Sequence, residues 1–290
     1  MPSLKEVKNR IQSVTSTQQI TKAMKMVAAA KLRRAQDNIT QMRPYAQKLG
    51  SLLQNLSSQS EGESAGYAEV RPIDKVLLFV VTSDKGLCGA FNSNVFKATN
   101  KHIADHYATE IAAGKVTILP IGKKALDYFT KRDYNVQGDF WEQFSPVGFE
   151  KSAAAAEFAM KGFLAGDFDR VDIIYNEFKN VATQIMRTEQ FLPILPAEDS
   201  TSSYDVDYIY QPSKEEIVEE LIPKSLKTQV FKAVLDSNAA EHGARMTAME
   251  QATDNAGELL KELKLSYNRT RQAAITKEIL EIVGGAEALG

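Results

Sequence analysis

Leu4-Lys5-Glu6-Val7-Lys8-Asn9-Arg10-Ile11-Gln12-Ser13-Val14 opens a run that can be followed in alternating steps of three and four residues as far as Leu56. The steps land on Leu4, Val7, Ile11, Val14, Gln18, Thr21, Lys25, Ala28, Leu32, Ala35, Ile39, Met42, Ala46, Leu49, Leu53 and Leu56, and thirteen of these sixteen positions are apolar. A repeat of 3.5 held over so many heptads marks a helix seam that supercoils against a second helix, because an ordinary surface helix drifts off a strict seven-residue repeat. Working outward, the matching pattern lies at the other end of the chain. Between about residues 213 and 290, Met249, Ala256, Leu260, Leu263, Tyr267, Thr270 and Ala274 recur in the same steps. Two terminal helices bracketing one globular insert predict a long antiparallel coiled coil.

The two helices differ in length. At a rise of 1.5 Å per residue the first reaches about 80 Å and the second on the order of 100 Å, so the last ~20 residues of the second are expected to have no partner in the chain. That stretch, Ala273-Ala274-Ile275-Thr276-Lys277-Glu278-Ile279-Leu280-Glu281-Ile282-Val283-Gly284-Gly285-Ala286, is strongly apolar. Ile275, Ile279, Ile282, Ala286 and Leu289 step by four and three residues and form a stripe rotated away from the seam that ends at Ala274. An unpaired apolar tip of this kind calls for a socket supplied by another protein.

The first helix is expected to start at Ser3, with Glu6 three residues on completing a capping box. The seam turns polar at Gln18, Thr21 and Lys25, while Ile20, Met24 and Val27 carry the apolar stripe around the helix. Two readings of this stretch stand side by side: a loosened coil, or a contact surface for a different partner. Pro44 removes a backbone hydrogen bond and predicts a kink or a strained turn. Residues 57–66, rich in Ser, Glu and Gly, read as a solvated linker.

From Lys75 the period changes. Val76-Leu77-Leu78-Phe79-Val80-Val81 is an unbroken β-branched and aromatic run, the pattern of a strand buried on both faces. Helix over residues 92–113, strand over 116–121, short helix over 123–131, helix over 150–164 and strand over 171–177 follow, with 183–191 as a candidate edge strand. Strands alternating with helices predict an α/β domain of Rossmann-like type with a mainly parallel sheet. The division read from the sequence is a helix over 1–58, an α/β domain over 70–200 and a helix over 212–290.

Composition narrows the function. The 290 residues are 43% hydrophobic and 25% charged, and no apolar run approaches the roughly 18 residues of a membrane-spanning helix. The basic, acid-poor N-terminus keeps its heptad register into the body of the protein, and so reads as mature structure rather than a transit peptide. Residues 1–58 hold ten Lys and Arg against Glu6 and Asp37, a net of +8; with the whole chain at −2, the remainder carries −10. These cations are scattered around the helix without interleaved aromatics, so an acidic protein surface is expected rather than nucleic acid.

Parallel α/β sheets bind ligands at the carboxyl ends of their strands, which makes Thr82-Ser83-Asp84-Lys85-Gly86-Leu87-Cys88-Gly89-Ala90-Phe91-Asn92 the stretch to test for an enzyme. It has neither the G-x-G-x-x-G of a dinucleotide loop nor the G-x-x-x-x-G-K-[ST] of a phosphate loop; Gly86 and Gly89 read as turn residues. Cys88, the one cysteine, beside Lys85, is either an activated thiol or, as read here, a small structural cysteine. His102 and His106 have metal-ligand spacing, but Ile103 stands where a zinc protease carries its glutamate, and the pair reads as a solvated helix face. No catalytic residue, cofactor or metal is expected.

Several motifs, taken in order, carry a resemblance: Leu4-Lys5-Glu6-Val7-Lys8-Asn9-Arg10-Ile11 with Ile20-Thr21-Lys22-Ala23-Met24-Lys25-Met26-Val27-Ala28-Ala29; the loop Ser83 to Asn92; and Arg245-Met246-Thr247-Ala248-Met249 through Tyr267-Asn268-Arg269-Thr270-Arg271-Gln272-Ala273-Ala274-Ile275-Thr276-Lys277-Glu278. The sequence resembles the gamma-subunit family of the F-type ATP synthases, of bacterial type. The terminal signature is present as Ile275, Thr276, Glu278, Glu281, Gly285 and Ala286, whereas the chloroplast-type insertion with its paired cysteines is missing.

The resemblance implies a non-catalytic central rotor stalk of a proton-translocating synthase, peripheral on the cytoplasmic face of the cell inner membrane. Its implied partners are the catalytic and non-catalytic subunits of the head, a small epsilon-type stalk subunit and the membrane c-ring. It further implies partner contacts through Lys8, Arg10, Met24, Lys25, Lys31, Arg33 and Arg34, a polar catch at Arg271, Gln272, Thr276 and Glu281, and an apolar bearing at Ile275, Ile279, Ile282 and Ala286. Two rival classes remain on the residues alone: a small-molecule-binding α/β protein with helical arms, and a generic coiled-coil scaffold.

Overall fold

The computed structural model describes residues 3–57, 63–194 and 214–287. Two compact units emerge: residues 1–29 with 245–290, and residues 30–244. The first helix, α1, spans Leu4–Ser57, and the last, α6, spans Lys214–Glu287.

In the unit of residues 1–29 with 245–290, the seam is where the 3.5 repeat puts it. Val7, Thr21 and Ala28 are buried on α1, facing Met249, Ala256, Leu260 and Leu263 of α6. The helices run antiparallel, since Thr21 pairs with Thr253 and Lys25 with Glu250. Ser3 caps α1 by accepting the Glu6 amide at 3.2 Å. Gly257 leaves room for Gln18: a Cβ there would stand 3.0 Å from Nε2 of Gln18, which would have to give by a few tenths of an ångström.

The unit of residues 30–244 is built on a sheet of order β3-β2-β1-β4-β5. Its strands are β1 (Val76–Val81), β2 (Val116–Ile121), β3 (Asn135–Val136), β4 (Arg170–Phe178) and β5 (Gln184–Leu192). All neighbours are parallel except the β4–β5 pair. One face of the sheet meets α5 (Phe149–Leu164) and the 222–234 stretch of α6, with Leu77, Phe79, Tyr175, Phe163 and Val230 in the core. The other face is covered by α2 (Phe91–His106) and α4 (Lys123–Thr130) through Leu78, Val95, Ile103 and Phe129. Both faces are covered, which is why β1 is an unbroken apolar run. Leu32, Ala35, Ile39 and Leu49 of α1 are also buried in this unit.

Several expectations need correction. The helix read over 92–113 breaks at Tyr107 into α2 and α3 (Ala108–Ala112), because Tyr107 turns inward to a buried carboxylate. The two-residue β3 and the 3-10 turn Gly138–Phe140 were not expected. Pro44 makes no turn: α1 runs through it. Of the linker read over 57–66, residues 58–62 lie outside the described residues, while Glu63–Ala68 is a 3-10 helix whose Tyr67 carbonyl accepts the Ile194 amide. Leu289 also lies outside the described residues.

Candidate functional site

The loop after β1 spends its polar groups on the chain itself. Ser83 donates its amide to Asn92 Oδ1 at 3.0 Å and its hydroxyl to the Lys85 carbonyl at 2.7 Å. Asp84 Oδ1 accepts the Lys123 amide at the start of α4, placing a carboxylate where an α/β enzyme would hold a phosphate. Gly122 permits the approach of β2's end to β1: its φ is +97°, and a Cβ there would meet the Thr82 carbonyl oxygen at 2.3 Å. Cys88 is buried, with its sulfur accepting from Asn92 Nδ2 at 3.2 Å, the structural reading of this residue.

His102 is not on a solvated face. Its Nε2 lies 2.8 Å from Oδ2 of Asp172, a carboxylate buried to 1% that also accepts from Tyr107 and from Arg170 Nε at 3.0 Å. Burial alone would raise the Asp172 pKa, but the bonds from His102, Tyr107 and Arg170 outweigh it and hold the group below the usual carboxylate range. Burial pushes the Tyr107 phenol up, and the neighbouring Asp172 charge adds to this. A second buried carboxylate, Asp236 on α6, shifts the opposite way. Desolvation raises its pKa against the pull of Arg43, whose Nη2 is 2.8 Å from Oδ1, and its Oδ2 has no hydrogen-bond partner among the described residues.

A cavity of about 530 Å³ opens in the same unit between α1, β5 and α6. Arg43, Lys232, Glu177 and Glu189 line it, and Lys232 reaches Glu189 at 3.8 Å, so the wall carries both signs of charge in equal number. This balance offers a charged metabolite no net attraction.

The terminal helices carry exposed apolar and charged side chains. From Arg271 to Ala286 every residue of α6 is exposed. Ile275, Ile279 and Ile282 are among them at 48%, 54% and 71%, with Leu280 and Val283 adding to the apolar area. Arg271, Gln272 and Thr276 are also exposed, and Glu281 pairs with Lys277 one turn away at 3.6 Å. On α1, Lys8 and Arg10 are exposed; Lys25 lies in the seam with Nζ 2.5 Å from Glu250; Met24 is half-buried. Lys31, Arg33 and Arg34, which belong to the unit of residues 30–244, are exposed.

The polar stretch of the seam is not loosened. Gln18 donates to the Thr253 carbonyl at 3.4 Å and the Thr21 and Thr253 hydroxyls are 2.8 Å apart. The apolar side chains beside it, Ile20 and Val27, are left 59% and 58% exposed. Met26 and Leu265, also exposed, were missed in the sequence; standing off both seams, they break the polar outer face expected of a solvated helix.

The family model described as ATP synthase matches residues 3–289. Among curated relatives, the ATP synthase gamma chain of Cytophaga hutchinsonii is 59% identical and that of Flavobacterium johnsoniae 57%, each alignment covering 100% of this chain and 99% of the relative. Among solved structures, a chain of the Tetrahymena thermophila mitochondrial ATP synthase central stalk and c-ring is similar at 26% identity. Its TM-score is 0.59, with 80% of this chain and 99% of that chain covered. A chain of the Euglena gracilis mitochondrial ATP synthase rotor shares the fold with a TM-score of 0.65 at 23% identity, covering 94% and 98%.

Proposed function

The chain belongs to the gamma-chain family of the ATP synthases, and on that premise we propose that its terminal helices are the torque-bearing part of a non-catalytic central stalk. It is a component of the synthase complex, and no described helix is long and apolar enough to cross a membrane. In this reading the chain works as a peripheral rotor on the cytoplasmic face of the inner membrane. It turns inside a ring of catalytic and non-catalytic subunits, with an epsilon-type subunit and the c-ring at its foot.

The observation that carries the reading is the bare apolar end of α6, residues 271–286, continuing a helix whose earlier turns are seamed. A sleeve around Ile275, Ile279, Ile282 and Ala286 would cover that surface while offering few directional bonds, so that a shaft can turn in it without deep traps. Torque needs something else, because a conformational equilibrium shifts only through contacts that differ between states. Arg271, Gln272, Thr276 and Glu281 supply directional polar groups next to the bearing. Lys8, Arg10, Lys31, Arg33 and Arg34 form the basic contacts with acidic loops of the catalytic subunits, and Met24 and Lys25 are further partner contacts. In this reading the helices α1 and α6 act as the shaft.

A stepwise C-terminal truncation series, read by complex yield and ATP-driven proton pumping, tests this. Removing the residues after Val283 should cost little pumping, whereas removal back through Gln272 should collapse both assembly and coupling. Complete loss of pumping on removing only residues 284–290, with assembly intact, would contradict the bearing.

A further inference from the structure

We propose that His102 and His106 form a binding site for a zinc-class divalent cation at the carboxyl end of α2. Among the described residues no three His, Cys, Asp or Glu side chains converge on one point, so the site has two protein ligands and water completes it. The two residues are one helical turn apart, and their rings lie 4.8 Å between centroids with planes at 57°. Two nitrogens each about 2.0–2.1 Å from one tetrahedral zinc stand roughly 3.4 Å apart, a separation that rings at this spacing can present.

Two further observations point the same way. His102 Nε2 lies 2.8 Å from Oδ2 of Asp172, a carboxylate that also accepts from the Tyr107 hydroxyl and from Arg170 Nε. Nε2 therefore carries the proton and the lone pair sits on Nδ1, the carboxylate–histidine arrangement that orients a metal-bound imidazole and raises its basicity. His106 also lies in the last turn of α2, whose end is marked by Tyr107, where the helix carbonyls favour a cation. The one cation in the cluster, Arg170, is already bonded to Asp172 Oδ1. His106 is exposed, so a hydrated ion has a way in. The sulfur-poor donor set suits borderline cations that accept imidazole, not calcium or magnesium.

The site is independent of the stalk reading and is tested on the full-length chain with Zn²⁺ alone, in competition with a chromophoric zinc indicator. The wild-type chain should take up one Zn²⁺ and melt at a higher temperature with it. His106→Asn, at an exposed position that leaves the fold intact, should lose at least tenfold in affinity and the thermal shift with it. Asp172→Asn should lose roughly 10–100-fold through the misoriented His102. Binding of equal strength in the wild type and His106→Asn, or no binding by the wild type, would overturn the proposal; should Asp172→Asn fail to fold, the His106 comparison decides alone.

Discussion

Val76–Val81 and residues 275–283 are both rich in Ile, Leu and Val, but every side chain of β1 is inaccessible to solvent while the apolar side chains of the α6 tip are 48% exposed or more. The difference lies in what each element needs from its neighbours. A strand leaves its backbone amides and carbonyls pointing sideways, so β1 can exist only with β2 and β4 bonded to it, and the helices that connect parallel strands then cover both faces. A helix satisfies its backbone within itself. The chain can therefore build the tip of α6 and leave its side chains bare, deferring to assembly the ~1.5–3 kcal/mol that each fully buried aliphatic side chain contributes. The sheet unit supplies its own core; the helix tip borrows one.

The comparison is broken most severely from the sheet side. Asp172→Ala removes the shared acceptor of His102, Tyr107 and Arg170, and should cost about 3 kcal/mol in urea unfolding of the isolated chain, the lower end for a broken buried ion cluster because His102 and Arg170 keep some contact with water. A loss below about 1 kcal/mol would mean that the cluster decorates the fold rather than holding it.

The two buried carboxylates sharpen the comparison through pH. Asp172 is depressed in the folded state, so its contribution is fully present above the ordinary carboxylate pKa of about 3.9 and is lost as pH falls through the folded value. Asp236 is raised by burial: its ionisation penalises the folded state at neutral pH, and that penalty is relieved as pH falls towards its folded value. Stability measured against pH should therefore fall less steeply into acid for Asp172→Asn than for the wild type. For Asp236→Asn the gain on mild acidification should vanish. Identical curves for the two variants would contradict these assignments.

A smaller effect is expected in the seam. Thr21→Val should cost about 0.5–1.5 kcal/mol by leaving the Thr253 hydroxyl with one partner fewer, and the double variant Thr21→Val with Thr253→Val should recover most of it. Additive losses in this double-mutant cycle would show that the two hydroxyls do not act as a pair. Smallest of all, Ile279→Ser should change the isolated chain by no more than about 0.5 kcal/mol, as for a surface position.

Most of this architecture was legible because it rests on local period. The 3.5 repeat fixed which side of α1 is buried, down to Thr21 inside the polar stretch, and the two-faced apolar run placed β1 and β2 at their observed ends. What stayed hidden depends on partners far away in sequence. Tyr107 breaks a helical pattern only because Asp172, 65 positions on, accepts its hydroxyl, and His102 is drawn off the solvent by the same carboxylate. β3 is two polar-flanked residues long and has no period to read. On the tip, the apolar stripe and the lack of a partner were both visible in the sequence, because an unpaired helix length is a matter of counting.

Hydrogen exchange of residues 271–286, measured in the isolated chain and in the assembled complex, tests the borrowed core most directly. The tip amides should exchange orders of magnitude faster than those of β1 in the isolated chain, since no described residue covers them, and should gain strong protection on assembly. Tip amides as protected as β1 in the isolated chain, or unchanged by assembly, would contradict the account.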